Sequence, residues 1–211
     1  MKGITVFLCA VLILIGAVTA NAIPITPVGV VATSDFGAPY SPEALIDGSG
    51  LTGGLHDKFF PDPPPTMWLS ENSNWGTLTF DLGGVYSITS ADIWQYNNKA
   101  FLFRGVNEFE ITSSSDNGTT FGNATLATLE IAPPSPPDAI WAQNVAFSAA
   151  DISHVRFEIL SIHTSAQTFS GLSEVKFNTA NAVPEPATLL LLGVGLVGLA
   201  GFGRKKLIKY K

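Results

Sequence analysis

The sequence predicts an all-β protein, one antiparallel β-sandwich of about eight strands between two apolar terminal segments. Three observations lead there. Between residues 23 and 182, apolar and polar side chains alternate in short runs, the period of a half-buried strand. Gly, Pro, Asn, Asp and Ser separate these runs, as turns require. No apolar pattern at helical spacing lasts three turns, and no repeat of fixed period is visible.

The elements follow in order. Leu78, Phe80 and Leu82 alternate with Thr77, Thr79 and Asp81, and Gly83-Gly84 is expected to turn the chain. Ala91, Ile93 and Gln95 oppose Asp92, Trp94 and Tyr96, a strand apolar on nearly both faces. Phe109, Ile111 and Ser113 precede Asp116-Asn117-Gly118, a hairpin-type turn signal. Val155, Phe157 and Ile159 alternate with His154, Arg156 and Glu158, and Val175 and Phe177 flank Lys176 in the last strand. Ser49 to Thr66 and Pro133 to Asp138, each with four prolines, read as long loops. Strands at this spacing fit a sandwich or jelly roll.

The termini have a different composition. Lys2 and the apolar stretch Ile4 to Val18 precede Ala20-Asn21-Ala22, a small-x-small cleavage pattern, so residues 1–22 read as a signal peptide. The single cysteine, Cys9, lies in that stretch and would leave with it, so a mature chain starting at Ile23 would hold no disulfide and no cysteine metal site. At the other end, Val183, Pro184, Glu185 and Pro186 are kept extended by the two prolines. The uncharged run Ala187 to Gly203 follows, a helix of ~25 Å and so a short membrane span. Residues 204–211 form a basic tail that stays cytoplasmic by the positive-inside rule. This order of features resembles the PEP-CTERM sorting signal of bacteria. The resemblance implies signal peptidase and exosortase as partners during export, transient anchoring in the inner membrane, and a cell-surface or extracellular-matrix destination.

Residues 23–182 then form one domain with a sizeable core. Five Lys and Arg face sixteen Asp and Glu there, a balance that repels phosphate backbones and makes nucleic acid a poor partner. Enzymatic patterns are sparse. His56, His154 and His163 have no metal-ligand spacing, and neither a nucleophile elbow nor a glycine-rich phosphate loop occurs. A paired-carboxylate hydrolase remains open on composition.

Several blocks, in order, resemble the discoidin, or coagulation-factor type C, family of galactose-binding-like jelly rolls. They are Ala44 to Thr52, Met67 to Ser70, Leu78 to Gly83, Ile93 to Asn98, Arg104 to Val106, Ser114 to Gly118, Val155 to Phe157 and Gly171 to Phe177. The chain departs from the family in a loop about ten residues longer between Thr52 and Trp68, and in Ser49 where an acidic residue is common. The resemblance implies a structural calcium ion held by Asp47 and Glu174 carboxylates, Thr52, and the Ala44 and Ser49 carbonyls. Calcium accepts six to eight oxygens of these kinds. The bland alternative is that Asp47 caps a turn and Glu174 is a surface residue.

Sugar recognition needs aromatic faces for the apolar side of a pyranose and planar polar groups for its hydroxyls. The loops offer His56, Asp57, Phe59, Phe60 and Trp75, and the middle strand end offers Tyr96, Asn97, Asn98 and Arg104. Trp68 and Trp94 sit in strands and are expected in the core. Phe59 and Phe60 could equally fasten their proline-rich loop to the sandwich. The chain therefore reads as an exported, non-enzymatic surface or matrix protein that binds exopolysaccharide. The alternatives are a structural biofilm-matrix protein without a saccharide ligand and, behind it, a small polysaccharide hydrolase.

Overall fold

The computed structural model describes residues 22–57, 66–71, 75–134, 139–164, 166 and 168–180. The expected signal peptide up to Asn21, the sorting segment with its apolar run, and Phe59 and Phe60 lie outside the described residues. Among those described, no helix is long and apolar enough to cross a membrane. Ala22–Ala180 form one compact unit.

Among the described residues eleven strands build it, all but a few of them short: β1 (Ile23–Ile25), β2 (Gly29–Ala32), β3 (Leu51–Thr52), β4 (Leu55–Asp57), β5 (Trp68–Leu69), β6 (Gly76–Gln95), β7 (Val106–Ser114), β8 (Thr125–Thr128), β9 (Ala139–Trp141), β10 (Gln143–Ile162) and β11 (Gly171–Thr179). Eight share one hydrogen-bonded ladder, β1-β11-β6-β10-β7-β8, with β2 on β6 and β5 on β11. Every strand pair is antiparallel.

The ladder folds into two layers because β6 and β10 bend. The first half of β6 pairs with β2 and with His154 to Ile159 of β10, whereas its second half pairs with β11 and with Gln143 to Ala149. Register shifts between Ala146 and His154 mark the corner. Gly83-Gly84 therefore does not reverse the chain as expected. Gly83 adopts φ +74° inside a continuous strand and bends it instead.

Side chains close the sandwich. Phe80 and Phe157 of one layer meet Phe177 of the other at ring-centroid separations of 5.5 and 6.0 Å, and Phe109 packs on Phe157 at 4.9 Å. Leu78, Phe80, Leu82, Val155, Phe157, Ile159, Val175 and Phe177 are buried, as their alternation predicts. Trp68 and Trp94 are core residues too.

A second sheet, β3-β4-β9, occupies part of the sequence expected to be loop. Gly53 and Gly54, at φ +60° and +86°, make the two-residue turn that joins β3 to β4. Asp116-Asn117-Gly118 does turn the chain, with Asn117 at φ 55° and Gly118 at φ 76°, but inside a longer connection between β7 and β8. Ser114 and Thr120 hydroxyls donate to the Asp116 carboxylate and hold it well below the usual carboxylate range.

Register fixes what lies at each end. Ile23 pairs with Thr179 and Thr179 with Ile88, so the termini of the compact unit sit at the bend end. Gly76, Gln95, Val106, Ile162 and Gly171 gather at the other end, where Gly105 bridges Gly171.

Candidate functional site

The loop end carries an aromatic cluster around one cation. A short 3-10 turn, Leu102–Arg104, follows Asn98, whose side-chain oxygen accepts from Ala100 N at 3.0 Å. The turn aims the Arg104 guanidinium between two rings, 4.0 Å from the Phe101 centroid and 4.7 Å from that of Phe169. Phe36 meets Phe169 at 6.0 Å and Tyr40 at 5.7 Å, both edge-on. Phe36 is half exposed and Phe101 more than a third.

Tyr96 lies beneath this cluster, fully buried, and the approach of Gly171 fixes its ring. A Cβ on Gly171 would stand 2.3 Å from Tyr96 Cδ2, so only glycine fits. Burial, reinforced by Tyr40, pushes the Tyr96 phenol up to about 12 against Arg104 and Asn98, which keeps it a neutral hydroxyl.

Other expected ligand residues face inward. His56 is fully buried, with Nδ1 3.0 Å from the Asp57 carbonyl and Nε2 3.2 Å from that of Thr66. Burial lowers its pKa against the raising effect of those carbonyls, so the ring is neutral near pH 7. Asn97 is also buried, and its amide donates to the His56 carbonyl at 3.1 Å. In this conformation His56 and Asn97 tie loops together rather than present themselves to a ligand. Asp57 is exposed at the end of β4, and Trp75, 60 % exposed, stands at a groove before β6.

No local pattern marks Phe36, Phe101 and Phe169 as a set, because three remote segments supply them. It also passed over Trp141, exposed on β9 and packed over Gly54. Its place in an alternating Ala139-Ile140-Trp141 run, with Ile140 buried, was the available signal.

The residues expected around calcium come from the loop before β3 and from β11. Gly48 at φ +72° and Gly50 at φ +78° curl this loop over Glu174. Gly48 N donates to Glu174 Oε2 at 3.2 Å, and Ser49 N donates to Asp47 Oδ1 at 2.7 Å. Glu174 is not a surface residue. It is fully buried, and its Oε1 has no hydrogen-bond partner. Burial above all, with the Asp47 charge adding to it, pushes the Glu174 carboxyl up to about 8, while Lys176 and the Gly48 amide oppose the rise. A buried, under-satisfied carboxylate next to a second one fits a cation better than it fits an empty interior. Ala44 lies buried in the 3-10 turn Pro42–Leu45, and Thr52 is exposed in β3. Among the described residues, no three His, Cys, Asp or Glu side chains converge as a metal site, so backbone oxygens would have to complete any shell.

Comparison with known proteins agrees with both halves of the chain. A model of the PEP-CTERM protein-sorting motif matches residues 182–205. The chain carries a PEP-CTERM sorting motif. It is thereby marked as an exported protein, and the motif implies processing by an exosortase. The folded unit is similar to an F5/8 type C domain from Bacteroides fragilis, with TM-score 0.53 at 13 % identity over 76 % of this chain and 97 % of that one. It is also similar to a CBM32 module from Clostridium perfringens, solved in complex with GalNAc-beta-1,3-galactose. There the TM-score is 0.51 at 17 % identity, over 71 % of this chain and 93 % of that one. AlyQ, truncated to its CBM32 and alginate lyase domains, matches with TM-score 0.51 at 20 % identity over 77 % of this chain, and 34 % of its own length is covered. At such identities the likeness establishes the discoidin-like fold. No curated protein sequence matches the chain.

Proposed function

We propose that this PEP-CTERM protein binds extracellular polysaccharide, without turning it over, through the loop end of its sandwich. The observation that carries the reading is the Arg104 guanidinium held between Phe101 and Phe169 beside the exposed Phe36. Exposed aromatic surface, here Phe36 and Phe101, suits the C–H face of a sugar, and a planar donor fork suits its hydroxyls. Because the rings and the cation brace one another, little side-chain freedom remains to be lost on binding. The termini of the folded unit lie at the bend end, opposite this cluster. The domain's excess of carboxylates favours neutral over acidic polymers. Such a protein would act at the cell surface or within a biofilm matrix after its tail is processed.

Calcium belongs to the same proposal as a structural ion. Asp47 and Glu174 would hold it with the Ala44 and Ser49 carbonyls and a Thr52 oxygen, and its charge would let the buried Glu174 ionise. The orphaned Glu174 Oε1 supports this assignment.

A glycan array with the purified protein tests the sugar reading, followed by affinity measurement for wild type and Arg104→Ala. Binding that falls at least about tenfold in the variant, the size expected for losing an arginine anchor, is the expected result. Absence of binding to any glycan would leave a structural matrix role. Release of reducing ends from a bound polysaccharide would instead establish a hydrolase.

A further inference from the structure

A groove of about 420 Å³ crosses the end of β10 beside the Arg104 cluster, lined by Trp75, Asn107, Leu160, Ser161, Ile162, His163 and Thr164. We infer that this groove is a second sugar subsite, taking a neutral unit of the same polysaccharide chain whose neighbouring unit sits at Arg104. The inference rests on the carbohydrate reading above and extends it from a single sugar to an extended polymer.

Strand order builds the groove. β10 runs between β6 and β7, with Ile159 paired to Gly76 on one side and Ile162 paired to Val106 on the other. Trp75 immediately precedes Gly76, and Asn107 immediately follows Val106. The indole therefore forms one bank and the carboxamide the other, with Leu160 to Thr164 as the floor. Its volume lies within the roughly 300–1,000 Å³ usual for small-molecule sites.

The chemistry of the banks selects the occupant. Trp75 offers a largely exposed indole, the strongest aromatic surface for a pyranose C–H face. The opposite bank is a polar relay. Asn107 Nδ2 donates to Ser161 Oγ at 3.1 Å, and Ser161 Oγ donates to Glu108 Oε2 at 3.2 Å. That relay orients the Asn107 amide and places a carboxylate behind the serine. None of the described residues lining the groove is Lys or Arg, so a uronate would meet Glu108 without a counter-charge. A neutral hexose meets no such repulsion.

Continuity with the Arg104 cluster makes the two places parts of one path. His163 N donates to the Gly105 carbonyl at 3.2 Å, joining the groove floor to the residue after Arg104. A groove whose floor is bonded to the residue after Arg104 suits the next unit of a linear glycan seated at that cluster. Their combined effect follows effective concentration, so affinity rises with chain length until both are filled.

The test uses calorimetry on the full chain with linear neutral glucan, galactan and mannan oligosaccharides of one to six units, and with oligogalacturonates of the same lengths. Wild type, Trp75→Ala, Asn107→Ala and Arg104→Ala are compared, with melting curves confirming that each variant is folded. The expected result is that Trp75→Ala and Asn107→Ala weaken binding of the neutral hexamer about tenfold or more, while binding of the monosaccharide changes less than about twofold. Arg104→Ala should lose both. If both groove variants bind the hexamer like wild type while Arg104→Ala still loses it, the groove is not a subsite and the Arg104 reading stands. Equal losses on monomer and hexamer in the groove variants would mean a single site and overturn the inference. Oligogalacturonates bound as tightly as the neutral series would overturn the assigned ligand class. No binding by wild type at any length would remove both readings.

Discussion

Glu174 offers the sharpest test of how this domain is stabilised. Its carboxyl is fully buried, accepts one hydrogen bond from Gly48 N, and is pushed from an ordinary 4.5 to about 8. In a chelator, the folded state thus prefers this group protonated, and the unfolded chain does not. The contribution is fully present below about pH 4.5 and is lost as pH rises through about 8. The gap corresponds to on the order of 5 kcal/mol above pH 8, an upper limit because the loop can relax, and about 3 kcal/mol of it is gone by pH 7. Between pH 5 and pH 7 the loss is about 2–3 kcal/mol, which for a domain of this size lowers Tm by roughly 5–10 °C. Glu174→Gln cannot ionise, so its Tm should lack this part of the pH dependence. Calcium should raise the wild-type Tm at pH 7.5 and flatten its slope, since an ion bound only to the native state stabilises it. The variant should not respond. Scanning calorimetry of both proteins, with chelator and with millimolar calcium from pH 5 to pH 8.5, reads all of this. Parallel slopes for wild type and variant in chelator would refute the burial argument. An unchanged wild-type Tm on adding calcium would refute the ion.

Three further outcomes are expected. Intact-mass measurement of the native surface protein should show loss of Arg204 to Lys211, and a retained tail would indicate a plain membrane anchor. Phe157→Ala, at the meeting point of Phe80, Phe109 and Phe177, should cost about 3–5 kcal/mol in chemical denaturation. A cost below about 1 kcal/mol would mean the two layers do not close on that ring. Phe59→Ala combined with Phe60→Ala should weaken retention on polysaccharide at unchanged Tm, whereas a lowered Tm would show that the rings fasten their loop.

Alternation of apolar and polar residues was enough to assign the inward faces of β7, the first half of β6 and the second half of β10, because a strand's period of two admits only one burial pattern in a half-exposed layer. The block Ala44 to Thr52 likewise marked the loop that wraps Glu174, since Gly48 and Gly50 supply the positive φ its curl needs. The C-terminal sorting motif was legible from composition and order alone. Local chemistry could not say whether Gly83-Gly84 reverses the chain or bends it, because positive φ serves both. The partners on β10 and β11 decide for a bend. Nor could it separate His56 and Asn97, which are buried, from Trp75 and Arg104, which reach the surface groove and cluster. Sequence alone left Glu174 open between an ion ligand and an exposed strand residue, and its burial excludes the second. Phe36, Phe101 and Phe169 became a site only when three distant loops met at one end of the sandwich. Such convergence depends on which strand ends lie side by side, and that is set by long-range pairing rather than by any local run of residues.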